Sequence, residues 1–209
     1  MTALPVLFCA VAVGVLLLGQ ARDERRLIWI SKPLAAACFL WAAIAWGALE
    51  SAYGVTILAG LALCAVGDVA LIPRGRAHAF LVGIGAFLLG HVAYAVAFAR
   101  QGFAPGAALG ATVGMAAFIW VLLRWLWPHV SPGFRGPVVA YVGVISVMVV
   151  CAIATVAAGA MPAAAIGAIA FAASDVSVAR DRFVAPGFVN GAWGLPLYFG
   201  AQLVLASTV

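Results

Sequence analysis

Gly67-Asp68-Val69-Ala70-Leu71 and Ser174-Asp175-Val176-Ser177-Val178 are two versions of one pattern, a single carboxylate inside a long apolar run. In each, an arginine-bearing break follows five residues after the acid, Pro73-Arg74 in the first and Arg180-Asp181-Arg182 in the second. On a helix that offset is about 7.5 Å of depth, at about 1.5 Å of rise per residue. If the runs cross a bilayer, both aspartates lie at one level just below one membrane surface. A carboxylate is costly there and is rarely kept without a task, so both are candidate functional residues. The plainer alternative is a structural pair that caps or hydrogen-bonds neighbouring helices.

Composition supports the membrane setting. Of 209 residues, 67% are hydrophobic and 8% charged, against about 25% charged in an ordinary soluble domain. The length accommodates seven or eight spans of about 20 residues with short connections, and the expectation is one transmembrane helical domain over 1–209. A net charge of +5 does not point to nucleic acid, because the arginines sit in loops where topology accounts for them. Cys9, Cys38, Cys64 and Cys151 fall inside apolar segments with no paired spacing. They read as small buried residues, with neither a disulfide nor a metal site indicated.

Periodicity and breaks place eight spans at about 3–19, 31–49, 52–72, 77–99, 105–126, 137–158, 163–179 and 186–206. The first has no basic residue ahead of it and Arg22, Arg25 and Arg26 behind it, the reverse of a secretory signal, so it is expected to stay as an anchor. The stretch from Gln20 to Ser31 reads as a solvated cytoplasmic loop, with Ser31-Lys32-Pro33 opening the second span. Arg124-Trp125-Leu126-Trp127 has the pattern of an interfacial aromatic belt. With eight spans, Arg22, Arg25, Arg26, Lys32, Arg74, Arg76, Arg124, Arg135, Arg180 and Arg182 share one side, ten of the eleven basic residues. That asymmetry predicts both termini outside the cytoplasm and both aspartates near the cytoplasmic surface. Gly83, Gly85 and Gly90 on the fourth span read as close helix contacts. The echo between spans three and seven hints at two parallel four-helix halves.

Spans three and seven run in the same direction, which lets two carboxylates face one cavity. Lys32, Ser174, Ser177 and Asn190 fall near their level, while His91, Tyr94, Tyr198 and Gln202 lie several turns deeper. The picture is a polar pocket open to the cytoplasm with an apolar interior behind it. Two acids in a poorly solvated site divide into one protonated and one ionised group, the arrangement used for cleavage through an oxocarbenium-like state. A serine hydrolase would need a nucleophile elbow or a serine with a base, and none is present. Metal hydrolysis lacks an HxxxH or HExxH pair, the three histidines being scattered.

Lys32-Pro33, Gly67-Asp68 with Leu71, the series Phe80, Gly83, Phe87, Gly90-His91, Tyr94 and Phe98, then Ala173-Ser174-Asp175 with Ala179 and Phe183, and finally Tyr198 with Gln202, resemble the YhhN-like membrane proteins. That family includes the lysoplasmalogenases. The resemblance covers spans two to eight and implies an eight-helix bundle that hydrolyses the vinyl ether bond of a lysoplasmalogen. The products would be a fatty aldehyde and a glycerophospho-ethanolamine or -choline, with Asp68 and Asp175 on the family's two aspartate positions.

The residues suit that chemistry. A vinyl ether offers no carbonyl to a nucleophile, so cleavage starts with a proton on the β carbon, and water captures the resulting oxocarbenium ion. One aspartate is expected to be the general acid and the other to stabilise the cation and activate water; which is which stays open. Lys32 is a candidate phosphate contact, helped by Arg74, Arg76, Arg180 or Arg182, or else a lysine that snorkels. Ser174, Asn190, His91, Tyr94, Tyr198 and Gln202 are candidates for lining the site and contacting substrate. For His91 and Tyr94, at i and i+3, an interhelical hydrogen bond is the simpler role. No cofactor is implied, and the expected partners are a lysophospholipid and membrane lipids. The rival classes are a small-solute or proton-coupled transporter and a non-enzymatic lipid-binding protein.

Overall fold

Apolar segments in lipid must satisfy their backbone amides internally, which favours helices. The computed structural model of the chain describes residues 2–73 and 75–209, and among these it has eight long helices and no strand. They are α1 (Leu4–Ala21), α2 (Arg25–Ala45), α3 (Ala52–Ala70), α4 (Ala77–Ala99), α5 (Pro105–Leu126), α6 (Pro132–Ala157), α7 (Ala163–Ala179) and α8 (Phe188–Ala206). A single 3-10 turn, Trp127–His129, ends α5, and a wide π turn, Arg180–Val184, ends α7. Seven of the helices, α1 to α7, with α7 taken on through its π turn to Val184, are long and apolar enough to cross a membrane. In α8, Asn190, Pro196 and Gln202 interrupt the apolar run, so it falls outside that set although the expectation included it.

Three helical hairpins, α1–α2, α3–α4 and α7–α8, form the most extensive packing, and α8 also meets α1, α2 and α3 while α4 meets α6. α5 stands apart: it packs along α6 and touches the π turn, and only Ala108 and Leu126 are buried on it. At one end, Trp46 Nε1 donates to the Thr2 carbonyl at 3.4 Å and Tyr53 Oη donates to Thr208 Oγ1 at 2.8 Å, so both ends of the chain meet the α2–α3 turn. At the other, Gln20, Arg76, Asp181 and Arg182 line one vestibule, which brings the turns after α1, α3 and α7 together.

Three expectations need correction. The stretch from 20 to 31 is a loop only from Arg22 to Glu24; α2 starts at Arg25 because Arg, Leu, Ile and Trp are all competent helix formers. Ser31 is therefore no cap: its Oγ donates back to the Leu27 carbonyl at 2.5 Å. Lys32 becomes a buried interior position with Pro33 beside it inside the helix. Likewise α6 begins at Pro132, where a proline in the first turn sacrifices no hydrogen bond, and runs through Pro137. Finally, the rod carrying Asp175 continues through the π turn to Val184, whereas the one carrying Asp68 ends at Ala70. Asp175 thus lies further from the end of its rod than Asp68 does from the end of its own.

Glycine sets the closeness of α3 and α4. A Cβ at Gly60 would stand 2.6 Å from the Tyr94 ring, one at Gly67 2.7 Å from the Phe87 ring, and one at Gly90 2.8 Å from Cys64 Sγ. Gly83 meets Leu71 in the same way, but Gly85 faces open space, so only two of the three glycines singled out on this helix are packing positions. Tyr94 is fully buried and hydrogen-bonded through its hydroxyl, so it has little freedom to yield. Gly60→Ala and Gly90→Ala should each lose about 1–3 kcal/mol by overpacking, seen as a lower unfolding temperature in detergent, while Gly85→Ala should leave that temperature unchanged or raise it.

Candidate active site

Helix α3 turns Asp68 inward, where it is 1% exposed. Lys32 Nζ on α2 lies 3.3 Å from Asp68 Oδ1, and Tyr198 Oη on α8 donates to Oδ2 at 2.6 Å. A lone buried charge would be prohibitive in such surroundings, and here both carboxylate oxygens meet a donor. The ammonium is itself largely buried, its side chain being 11% exposed, so the two charges satisfy each other within the protein.

Asp175 on α7 is held differently. Tyr141 Oη on α6 donates to its Oδ2 at 3.2 Å, and His91 Nε2 on α4 is 3.5 Å from the same oxygen. The imidazole is fully buried, lies 2.6 Å from the Phe87 carbonyl through Nδ1 and stacks on Phe171 with ring centroids 4.3 Å apart.

The arrangement is crossed. Each acid takes one partner from the helix preceding its own, Lys32 on α2 for Asp68 and Tyr141 on α6 for Asp175. It takes the other from the helix that follows its counterpart, Tyr198 on α8 for Asp68 and His91 on α4 for Asp175. Along the chain, His91 precedes Tyr198 by the same number of residues as Asp68 precedes Asp175. The sequence echo between spans three and seven therefore has a counterpart in space.

Both carboxylates line one cavity of about 120 Å³. Its remaining wall is mostly aliphatic and aromatic, with Phe80, Ile84, Phe87, Phe118, Leu122 and Leu126 prominent. Lys32, Leu71, Phe80, Ser177, Val178 and Leu195 also border the polar vestibule that holds Gln20, Arg76, Asp181 and Arg182. An apolar chamber thus adjoins a polar, arginine-bearing one, with Lys32 at the junction. Among the described residues no group of three His, Cys, Asp or Glu side chains is gathered that would hold a metal ion.

A family model described as the YhhN family matches residues 27–209. The chain belongs to the YhhN family. Curated relatives agree: a lysoplasmalogenase of Mycobacterium bovis is 33% identical over 160 residues, which is 72% of this chain and 59% of that protein. Lysoplasmalogenase TMEM86A of Bos taurus is 32% identical over 158 residues, and that of Homo sapiens 33% over 156, each match covering 72% of this chain and 63% of the relative. The chain spans about three fifths of the length of the curated relatives it matches. No solved structure matches it.

In this YhhN chain the other residues singled out from the sequence take several positions. Ser174 lines the cavity, but its Oγ donates back to the Phe171 carbonyl at 2.7 Å. His91 and Tyr198 do not lie turns away from the acids; they touch them, His91 reaching Asp175 and Tyr198 reaching Asp68. Of these two only Tyr198 lines the cavity, His91 standing behind Asp175. Tyr94 and Gln202 bond to each other at 2.8 Å, fully buried and away from the cavity wall. Asn190 borders the vestibule, where it accepts from Arg180 Nη1 at 2.5 Å and donates to Asp181 Oδ1 and the Ala185 carbonyl. Arg180 is thereby committed to shaping the π turn. Arg182 lies over the Phe80 ring at 4.2 Å, Arg76 borders the vestibule, and Arg74 lies outside the described residues. Tyr141 was missed: its signal was a lone phenol in the apolar run of the sixth span.

Removing the cation from the Lys32–Asp68 pair leaves a buried carboxylate uncompensated. Lys32→Met should cost about 3–5 kcal/mol, measured as a fall in thermal unfolding temperature in detergent. Adding Asp68→Asn to it should recover most of that loss.

Proposed function

We propose that this chain is a membrane lipid hydrolase that cleaves the vinyl ether bond of a lysoplasmalogen, releasing a fatty aldehyde and a glycerophospho-ethanolamine or -choline. The observation that carries the reading is the pair of carboxylates on one apolar cavity whose other end opens into an arginine-bearing vestibule. A lysophospholipid has the matching form, with one chain, one reactive ether and one charged headgroup. The names of the relatives support the same substrate class.

In this mechanism one carboxylic acid protonates the β carbon of the alkenyl group, and the facing carboxylate stabilises the oxocarbenium ion and draws a proton from the water that captures it. The hemiacetal then collapses to aldehyde and alcohol. Lys32 at the junction, with Arg76 and Arg182 in the vestibule, holds the phosphate as charge-assisted donors. The chain lies in the apolar part beside Phe118 and Leu122, on the side where α5 is a thin outer wall. Beyond the acids, Phe171, Tyr94 and Gln202 are fully buried, which suits a blind pocket better than the through-going path of a transporter. The topology that goes with this function has eight spans in a single domain, both termini away from the cytoplasm and the vestibule facing it.

Purified protein given a 1-alkenyl lysophospholipid should release aldehyde, and the 1-alkyl analogue, which lacks the double bond, should not react. Asp68→Asn and Asp175→Asn should each lower turnover by roughly 10²- to 10⁴-fold while still eluting as folded protein in detergent. Full activity in both variants would contradict the mechanism.

A further inference from the structure

Proton accounting separates the roles of the two acids, given the hydrolase reading above. The Phe87 carbonyl can only accept, so His91 Nδ1, 2.6 Å from it, carries a ring proton. A neutral ring then turns a bare lone pair on Nε2 toward Asp175 Oδ2, 3.5 Å away. Nε2 is buried and has no other hydrogen-bond partner. Were Asp175 ionised at the same time, two acceptors would face each other 3.5 Å apart and the buried Nε2 would be left unsatisfied. One proton on either atom resolves this. Tyr141 donates to the same carboxylate oxygen and fits both forms. The 3.5 Å gap is longer than a tight hydrogen bond, as catalytic contacts often are before substrate closes a site.

Across the cavity the accounting reverses. Asp68 meets an ammonium on one oxygen and a phenol hydroxyl on the other, and both arrive as donors, so the group they suit is the carboxylate. The titratable groups around the two acids are Cys9 from α1, Lys32 from α2, Cys64 from α3, His91 and Tyr94 from α4, Tyr141 from α6 and Tyr198 from α8.

We infer that His91 and Asp175 share one proton, that Asp175 delivers it to the substrate, and that Lys32 and Tyr198 keep Asp68 as the ionised base. His91 is a positioning residue, since it stands behind Asp175 and acts through it. The cycle closes without any further reactant. Asp175 gives its proton to the β carbon as the C=C electron pair forms the new C–H bond, leaving an oxocarbenium ion. Water adds to the carbon that bears the ether oxygen and loses a proton to Asp68. The hemiacetal hydroxyl then returns a proton to Asp175 while Asp68 protonates the departing glycerol oxygen and the C–O bond breaks. Both acids end as they began.

The test is the pH profile of kcat on a 1-alkenyl lysophospholipid, followed by aldehyde release. The alkaline limb reports loss of the shared proton, and the acidic limb protonation of Asp68. His91→Gln replaces an acceptor with an amide that can donate to the Asp175 carboxylate, so the alkaline limb should move to lower pH by about one unit and kcat should fall roughly 10²-fold, with KM little changed. Tyr141→Phe removes a donor from that carboxylate and should move the same limb to higher pH. Tyr198→Phe should move only the acidic limb, also upward. The opposite signs at His91 and Tyr141 are not what general loosening of the site would produce, and Tyr141→Phe decides the matter alone if His91→Gln does not fold. Wild-type turnover with an alkaline limb unmoved by these variants overturns the inference and leaves the hydrolase reading standing. A wild-type chain that releases no aldehyde overturns both.

Discussion

A carboxylate placed among apolar helices must have its charge or its proton answered by the protein, because no solvent is there to do it. Much of this structure follows from answering that demand twice in different ways. Around Asp68 the answer is a full positive charge, and supplying it requires Lys32 to sit inside a helix and not at its end. That in turn requires α2 to begin at Arg25 and to carry Pro33 through its third turn. Around Asp175 the answer is a phenol and an imidazole, and it requires α4 and α6 to flank α7 at the depth where those rings reach.

The close hairpins make these meetings possible. Because Gly60, Gly67 and Gly90 let α3 and α4 approach, the rings of Phe87 and Tyr94 fill the seam, and His91 on the same helix is directed toward α7. α8 meets α1, α2 and α3 as well as α7, which brings Tyr198 to Asp68. α5, held mainly by α6, contributes an apolar outer wall and no charged or hydrogen-bonding group to the cavity. The result is a partition that mirrors an amphiphile, with the two carboxylates on the apolar chamber and Lys32 at its boundary with the polar vestibule.

Much of this was legible in the sequence. Two acids in apolar runs stood out because the membrane makes them expensive, and α4, α5 and α7 fell where glycine, proline and arginine punctuate the chain. What was not legible depended on how rods end. The arginines at 180 and 182 look like a loop, but Asn190 and Asp181 stabilise a π turn there, which extends the rod beyond Ala179. The arginines at 25 and 26 look like a loop too, yet they open a helix, and that moves Lys32 from the surface to the side of Asp68. Tyr141 was invisible for another reason: a tyrosine in an apolar span is compatible with plain packing, and only the position of α6 beside α7 gives its hydroxyl an acceptor. Gly85 shows the converse, since composition alone cannot tell which side of a helix faces a neighbour.

The crossed pairing of acids and partners has an evolutionary consequence. A chain of half this length, associating with a second copy of itself, would bury two equivalent carboxylates, each supported by its own subunit and by its twin. Symmetry would then let either acid hold a shared proton, so neither position would have a fixed role as donor or acceptor. Joining the halves in one gene frees each position to diverge, and lysine opposite tyrosine, with tyrosine opposite histidine, is how this chain uses that freedom.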